Sequence, residues 1–255
     1  MKANLEVVQI QTIDYCNRSC WFCPNKDDVR KTGKRMEWDV FNRILTDLEK
    51  MQFGGRISLY LMCEPLIDKR LPDWIAEVRR RFPNNFIMLN SNGDYLNKDW
   101  LIKLRDAGLN YIQVNCYDES CEGRNAEFRN IVSGLEGVDA YIHQRKWKDN
   151  GNMAVILKRK IPVQRFWNRA GSVKVKCQTS RKVDVCCLPF TQMYINYLGQ
   201  LVLCCCDYYF EVVMGDVTRD HLWDIWNNEI YKEYRDKLNA GQGKELKLCD
   251  KCDRI

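Results

Sequence analysis

The chain has 255 residues, enough for one large domain or a domain with an appendage, and its net charge of +6 is mild for that length. No apolar run approaches the ~20 residues of a membrane span. The opening Met1-Lys-Ala-Asn-Leu-Glu also lacks the apolar core of a secretion signal, so the expectation is a soluble, cytoplasmic protein with no membrane partner.

Fourteen cysteines without an export signal point to metal ligation or redox work rather than to bridges, and only two histidines, His143 and His221, argue against a histidine-built metal site. Residues 5–13 read as a first strand. The run Asp14-Tyr-Cys-Asn-Arg-Ser-Cys-Trp-Phe-Cys-Pro24 follows, placing Cys16, Cys20 and Cys23 at C-x3-C-x2-C spacing with an aromatic before the last. Cubane iron–sulfur clusters normally take four thiolates, so a loop that offers three leaves one iron free to take a small molecule. The competing reading is structural zinc, which wants four tetrahedral ligands, usually in paired knuckles.

Residues 38–51 read as a helix with Phe41, Ile44, Leu45 and Leu48 on one face, stopped by Gly54-Gly55. Then come strand 56–62, helix 71–82, strand 86–90, helix 98–107, strand 111–116, helix 126–135 and a less clear strand at 154–158. Such alternation implies parallel strands with right-handed crossovers. About six units before residue 172 give an α/β chain built as a partial (β/α)6 barrel, shorter than the eight-fold barrel. Chemistry then belongs at the C-terminal strand ends, where the cysteine loop sits. The basic runs Arg79-Arg80-Arg81 and Lys158-Arg159-Lys160 read as solvated helix or strand ends, and no nucleic-acid module accompanies them.

Past residue 172 the alternation stops and cysteines crowd together: Cys177, Cys186, Cys187, Cys204, Cys205, Cys206, Cys249 and Cys252. Residues 192–197 and 200–204 flank Leu198-Gly199 like a β-hairpin, and 222–238 is helical. The apolar content of this tail looks thin, which suggests a small metal-supported module. The expected division is a barrel over 1–172 and the module over 173–255.

The first cysteine loop closely resembles that of the radical S-adenosylmethionine (SAM) enzymes. In that family the open iron binds the amino and carboxylate groups of SAM, whose reductive cleavage yields a 5′-deoxyadenosyl radical. The tail resembles the SPASM/twitch extensions of the same enzymes through Cys186-x2-Pro189, Gly199-x4-Cys204, Val213-Met-Gly-Asp-Val217, Asp224-Ile-Trp226 and the terminal C-x2-C. The resemblance implies SAM, a SAM-binding [4Fe–4S] cluster on Cys16, Cys20 and Cys23, and an auxiliary [4Fe–4S] cluster on Cys186, Cys204, Cys249 and Cys252. Cys187 in place of Cys186, Cys205 or Cys206 in place of Cys204, and a four-thiolate zinc site all stay open.

Further segments, among them Gly55-Arg-Ile-Ser58, Glu64-Pro-Leu66, Asn92-Gly-Asp-Tyr-Leu96 and Asn168-Arg-Ala-Gly171, are similar to radical SAM dehydrogenases that oxidise a cyclitol alcohol. By that resemblance Glu64 lies beside the amino group of SAM, and Asn92, Asn115 and Arg129 near its carboxylate or ribose. Cys63 stands where the family has glycine. Arg169 faces the substrate hydroxyl, and Cys206 replaces an expected acidic residue and is a candidate hydrogen-atom donor. The implied activity is oxidation of a small polar molecule (a cyclitol, sugar or aminoglycoside precursor), with the auxiliary cluster as electron acceptor and a flavodoxin- or ferredoxin-type donor. Two alternatives compete: a peptide maturase or epimerase, disfavoured because the barrel starts near residue 5 without a leader-binding domain, and a zinc-supported interaction module.

Overall fold

In the computed structural model of the chain, residues 1–26, 32–117, 122–143, 150–158, 167–174, 183 and 185–253 are described; Cys177, Arg159 and Lys160 lie outside them. The first half alternates as expected: β1 (Val7–Ile10), α1 (Trp38–Lys50), β2 (Arg56–Ser58), α2 (Leu71–Arg81), β3 (Ile87–Ser91), α3 (Lys98–Asp106), β4 (Tyr111–Asn115), α4 (Glu122–Val132), β5 (Val138–Ile142) and β6 (Met153–Lys158). All four residues of β1 are buried, as a parallel strand covered on both faces should be. On α1 the stripe Phe41, Ile44, Leu45 and Leu48 packs into the core.

These six strands are parallel and the sheet does not close, its order being β5-β6-β4-β3-β2-β1 before the tail continues it. The partial barrel therefore holds, with one strand the pattern did not reveal. None of the residues of β5 is buried. An edge strand with no core face carries no apolar alternation to read. Helix α4 also starts four residues earlier than expected, at Glu122.

The tail comprises α5 (Leu188–Thr191), β7 (Gln192–Ile195), β8 (Gln200–Val202), β9 (Val213–Asp216), α6 (Leu222–Trp226) and α7 (Glu229–Asn239). The expected helix 222–238 is split because the side chain of Asn228 accepts from Tyr231 N and starts a new helix. Strands β7 and β8 form the expected antiparallel hairpin, but β7 also pairs in parallel with β1, from Val7↔Gln192 to Ile10↔Ile195. One nine-stranded sheet thus runs through both halves.

The core is equally continuous. Val8, Ile10 and Leu89 belong to the same buried cluster as Met193, Ile195, Met214, Leu222, Trp226 and Leu248. The impression of a thin tail is corrected accordingly: its apolar face is shared with the barrel. Asp47 on α1 reinforces the joint, accepting from Leu222 N at 3.0 Å and meeting His221 Nδ1 at 2.9 Å.

The arginine run on α2 is structural. Arg79 donates to Gly108 O and Asn85 O, while Arg80 and Arg81 pair with Glu77. Cys116, just after β4, is disulfide-bonded, so metal service does not account for every cysteine. Among the described residues no helix is long and apolar enough to cross a membrane.

Candidate active site

A cavity of about 340 Å3 opens at the C-terminal ends of β1 to β4, and Cys16, Cys20 and Cys23 form part of its wall. Their loop turns tightly, Cys23 N donating to Cys20 O at 3.0 Å and Lys26 N to Cys23 O at 3.1 Å. Burial, together with repulsion from its two partners, raises the Cys16 thiol to about 11, and burial raises Cys20 as well. A thiolate trio here needs a neighbouring cation, so metal binding must expel protons.

The loop is clamped from the β3 side. Asn92 Nδ2 lies 3.9 Å from Cys16 Sγ and donates to Asn17 Oδ1 at 2.9 Å. The next residue, Gly93, has φ +78°, and a Cβ there would stand 2.6 Å from Val114 Cγ1, so the turn requires glycine. Asp94 then accepts from Arg18 Nε at 2.6 Å, Asn17 Nδ2 at 2.7 Å and Arg124 Nη2 at 2.9 Å. Burial pushes its carboxyl up, yet these donors hold it at about 2. Asp94, Arg18 and Arg124 were not among the expected site residues. The only signal for them was the aspartate closing the Asn-Gly-Asp turn.

Glu64 is 2 % exposed, and its backbone N donates to Tyr15 O. Its carboxylate accepts from Leu66 N at 3.1 Å, Ser91 Oγ at 2.7 Å and Asn92 N at 2.7 Å, tying β2 to β3 beneath the cysteine loop. Burial outweighs these donors and raises the carboxyl to about 7. Cys63 and Asn115 also line the cavity; burial drives the Cys63 thiol upward, and Asn115 accepts from Gln113 Nε2 at 3.0 Å. Arg129 is different: it is exposed on α4 and does not line the cavity. Arg124, five residues earlier, is the arginine that turns toward the site.

The opposite wall comes from the second half. Arg169, Cys205, Cys206 and Tyr208 line the same cavity, and the charge of Arg169 is felt by Cys206, Cys205 and Cys23. Cys206 is 4 % exposed. Tyr208 hydrogen-bonds Asn25, joining the hairpin loop to the first cysteine loop.

The remaining cysteines converge behind this wall. Cys249 is raised to about 12 by burial and by Cys186 and Cys252, while Cys204 is raised by burial and by its neighbours, Cys249 among them. None of these four lines the cavity. Cys187 is exposed, and Cys205 and Cys206 turn into the cavity instead. Buried Asp207 sets that split, accepting from Glu211 N at 2.8 Å and Val212 N at 3.0 Å to curl the loop after Cys204.

Two all-thiol sets, one of three and one of four, therefore face inward. Among the described residues no three His, Cys, Asp or Glu side chains approach closely enough to share a single ion. Tetrahedral zinc, with bonds of about 2.3 Å, would draw its thiolates to within about 4 Å of one another. The looser, soft donor sets fit a larger iron–sulfur cube.

Comparison with known proteins agrees. A model of the radical SAM superfamily matches residues 10–120, and one of the iron-sulfur cluster-binding SPASM domain matches residues 186–253. The S-adenosyl-L-methionine-dependent 2-deoxy-scyllo-inosamine dehydrogenase of Niallia circulans is 25% identical over 249 residues, covering 98% of this chain and 93% of that protein. The crystal structure of BtrN in complex with AdoMet and 2-DOIA superposes with a TM-score of 0.80 at 22% identity, over 100% of this chain and 95% of that one. Native anSMEcpe with bound AdoMet gives a TM-score of 0.60 at 12% identity, over 96% of this chain and 88% of that one.

Proposed function

Because this chain is a radical SAM enzyme with a C-terminal SPASM domain, we propose that it oxidises a secondary alcohol of a small polyhydroxylated molecule, such as a cyclitol, to a ketone. The observation that carries this reading is one cavity walled by the three-thiol loop on one side and by Arg169 on the other, with a saturated four-thiol set just behind. The relative that is similar over nearly the whole chain is named for such an oxidation.

In this reading residues 1–172 house the radical-generating half and 173–255 the auxiliary half. Cys16, Cys20 and Cys23 would hold the SAM-binding cluster, with Cys63, Glu64, Asn92 and Asn115 around SAM; Cys186, Cys204, Cys249 and Cys252 would hold the auxiliary cluster. When bound, these groups supply a hydrogen-abstracting radical and an acceptor for the second electron. A flavodoxin- or ferredoxin-type protein would serve as donor.

The residues of the chain shape what surrounds that chemistry. Asn92 supports Cys16 as a ligand by placing an N–H near its sulfur, a contact that tunes such centres. The Asp94 clamp fixes the loop without occupying the cavity. Arg169 orients the hydroxyl and stabilises charge as its proton leaves; an arginine cannot itself be the base. Tyr60, Asn90 and Asn115 offer neutral hydrogen-bonding groups suited to a polyol, in a volume typical of small-ligand sites.

Cys205 and Cys206 on the cavity wall favour one competing reading, a radical epimerase in which a thiol returns a hydrogen atom. Product stereochemistry decides between them: oxidation gives a ketone, and alanine at either cysteine leaves its yield intact. The overall test is anaerobic reconstitution followed by metal analysis and incubation with SAM and a cyclitol panel. About eight irons, from two four-iron clusters, with substrate-dependent ketone formation is the expected result. Stoichiometric zinc without iron would overturn it.

A further inference from the structure

The turn that carries Arg169 is held by the last residues of the described chain. Asn168 N donates to Asp253 Oδ2 at 2.9 Å, Asn168 Nδ2 donates to Lys251 O at 2.7 Å, and Asp253 N returns a bond to Asn168 Oδ1 at 3.4 Å. Two segments more than eighty residues apart are thus fastened at three points. Directly beyond the fastening, Arg169 and Ala170 both occupy the left-handed region, at φ +50° and +52°. Consecutive non-glycine residues persist there only when their surroundings hold them.

Gly171 completes the turn at φ +83°, and a Cβ on it would stand 3.0 Å from Lys251 Cβ. The turn therefore rests directly on the short helical turn Cys249–Lys251. Leu248, just before that turn, is itself left-handed at φ +72° and buried. The Oδ1 atom of Asp253 is buried with no hydrogen-bond partner among the described residues, an unfavourable placement for a carboxylate whose evident role is this contact.

We propose that Asn168 and Asp253 are positioning residues that couple the terminal cysteine loop to the Arg169 turn. The guanidinium is held in the cavity wall only while the Cys249–Cys252 loop is organised, so loading of the second thiol set completes the substrate site. The inference rests on Arg169 acting on substrate, as proposed above, but its structural half stands apart from that.

The test uses iron-loaded N168A, D253A and D253N with two readouts: hydrogen exchange of the peptide spanning 168–173, and the ratio of ketone to 5′-deoxyadenosine formed. Both alanine variants should exchange about tenfold faster there, the loss expected from one buried hydrogen bond. Their iron content and substrate-free SAM cleavage should stay at parental levels while the product ratio falls. D253N keeps an acceptor oxygen and should restore both readouts. C249A should raise exchange in the same segment.

Parental exchange in N168A and D253A, or in C249A, overturns the coupling. Asn168 is remote in sequence from every cysteine, so N168A decides the matter even if D253A loses iron. Faster exchange with an unchanged product ratio would uphold the coupling and count against Arg169 as the substrate contact.

Discussion

The Cys16–Cys23 loop presents three thiols from eight consecutive residues to the wall of an open cavity, whereas Cys186, Cys204, Cys249 and Cys252 arrive from three distant segments and stay behind that wall. Their supports differ in kind. Polar clamps through Asp94, Asn92 and Glu64 hold the first loop, while buried Tyr231, Leu246 and Leu248 belong to the apolar cluster against which Cys204, Cys249 and Cys252 pack. An under-ligated centre beside solvent-accessible space suits binding and reaction. A saturated centre set in apolar packing suits support or electron relay.

Several changes would break or sharpen that contrast. Alanine at Cys16, Cys20 or Cys23 should abolish SAM cleavage and remove about four of eight irons; cleavage surviving in any of the three would dissolve the distinction. Alanine at Cys204 or Cys249 should also remove about four irons. It should, however, leave SAM cleavage measurable while ketone formation disappears, which parallel assays of 5′-deoxyadenosine and product would reveal. R169A should lower kcat by about 10²–10³-fold, the usual loss for a removed charge-stabilising donor, with R169K recovering part of it.

Glu64 gives a pH test of the cluster-free chain. Its folded carboxyl sits at about 7, above the ordinary 4.5, so the folded state binds the extra proton. Stability should then be fullest below pH ~4.5 and fall as pH rises to ~7, by an amount on the order of 2–3 kcal/mol. Denaturant midpoints for E64Q should lack that slope. The smallest effect belongs to the joint between the two regions: Y208F loses the bond to Asn25, costing about 1 kcal/mol and lowering Tm by about 2–4 °C.

Legibility followed the same divide. The first loop is local, so spacing alone exposed its three ligands, and the parallel barrel followed from strand–helix alternation. The second set is assembled by the fold. Three consecutive cysteines, Cys204, Cys205 and Cys206, look alike in sequence, and only the curl imposed by Asp207 sends the first toward Cys249 and the others into the cavity. Arg129 was expected where Arg124 acts, because five helical residues rotate a side chain onto another face. The tail looked poor in apolar residues because its partner surface lies on β1, nearly two hundred residues away.

The pairing of β1 with β7 also works as a ruler. The first strand ends just before one sulfur-rich loop, and its neighbour opens the hairpin that leads to Cys204, with Gln11 N still bonded to Ile195 O at 2.9 Å as the strands finish. The gap between the two inorganic centres is thereby set by ladder register, in which a slip of one residue amounts to about 3.3 Å. Loops lining the pocket are free to diversify toward new substrates while the interval an electron must cross stays constant.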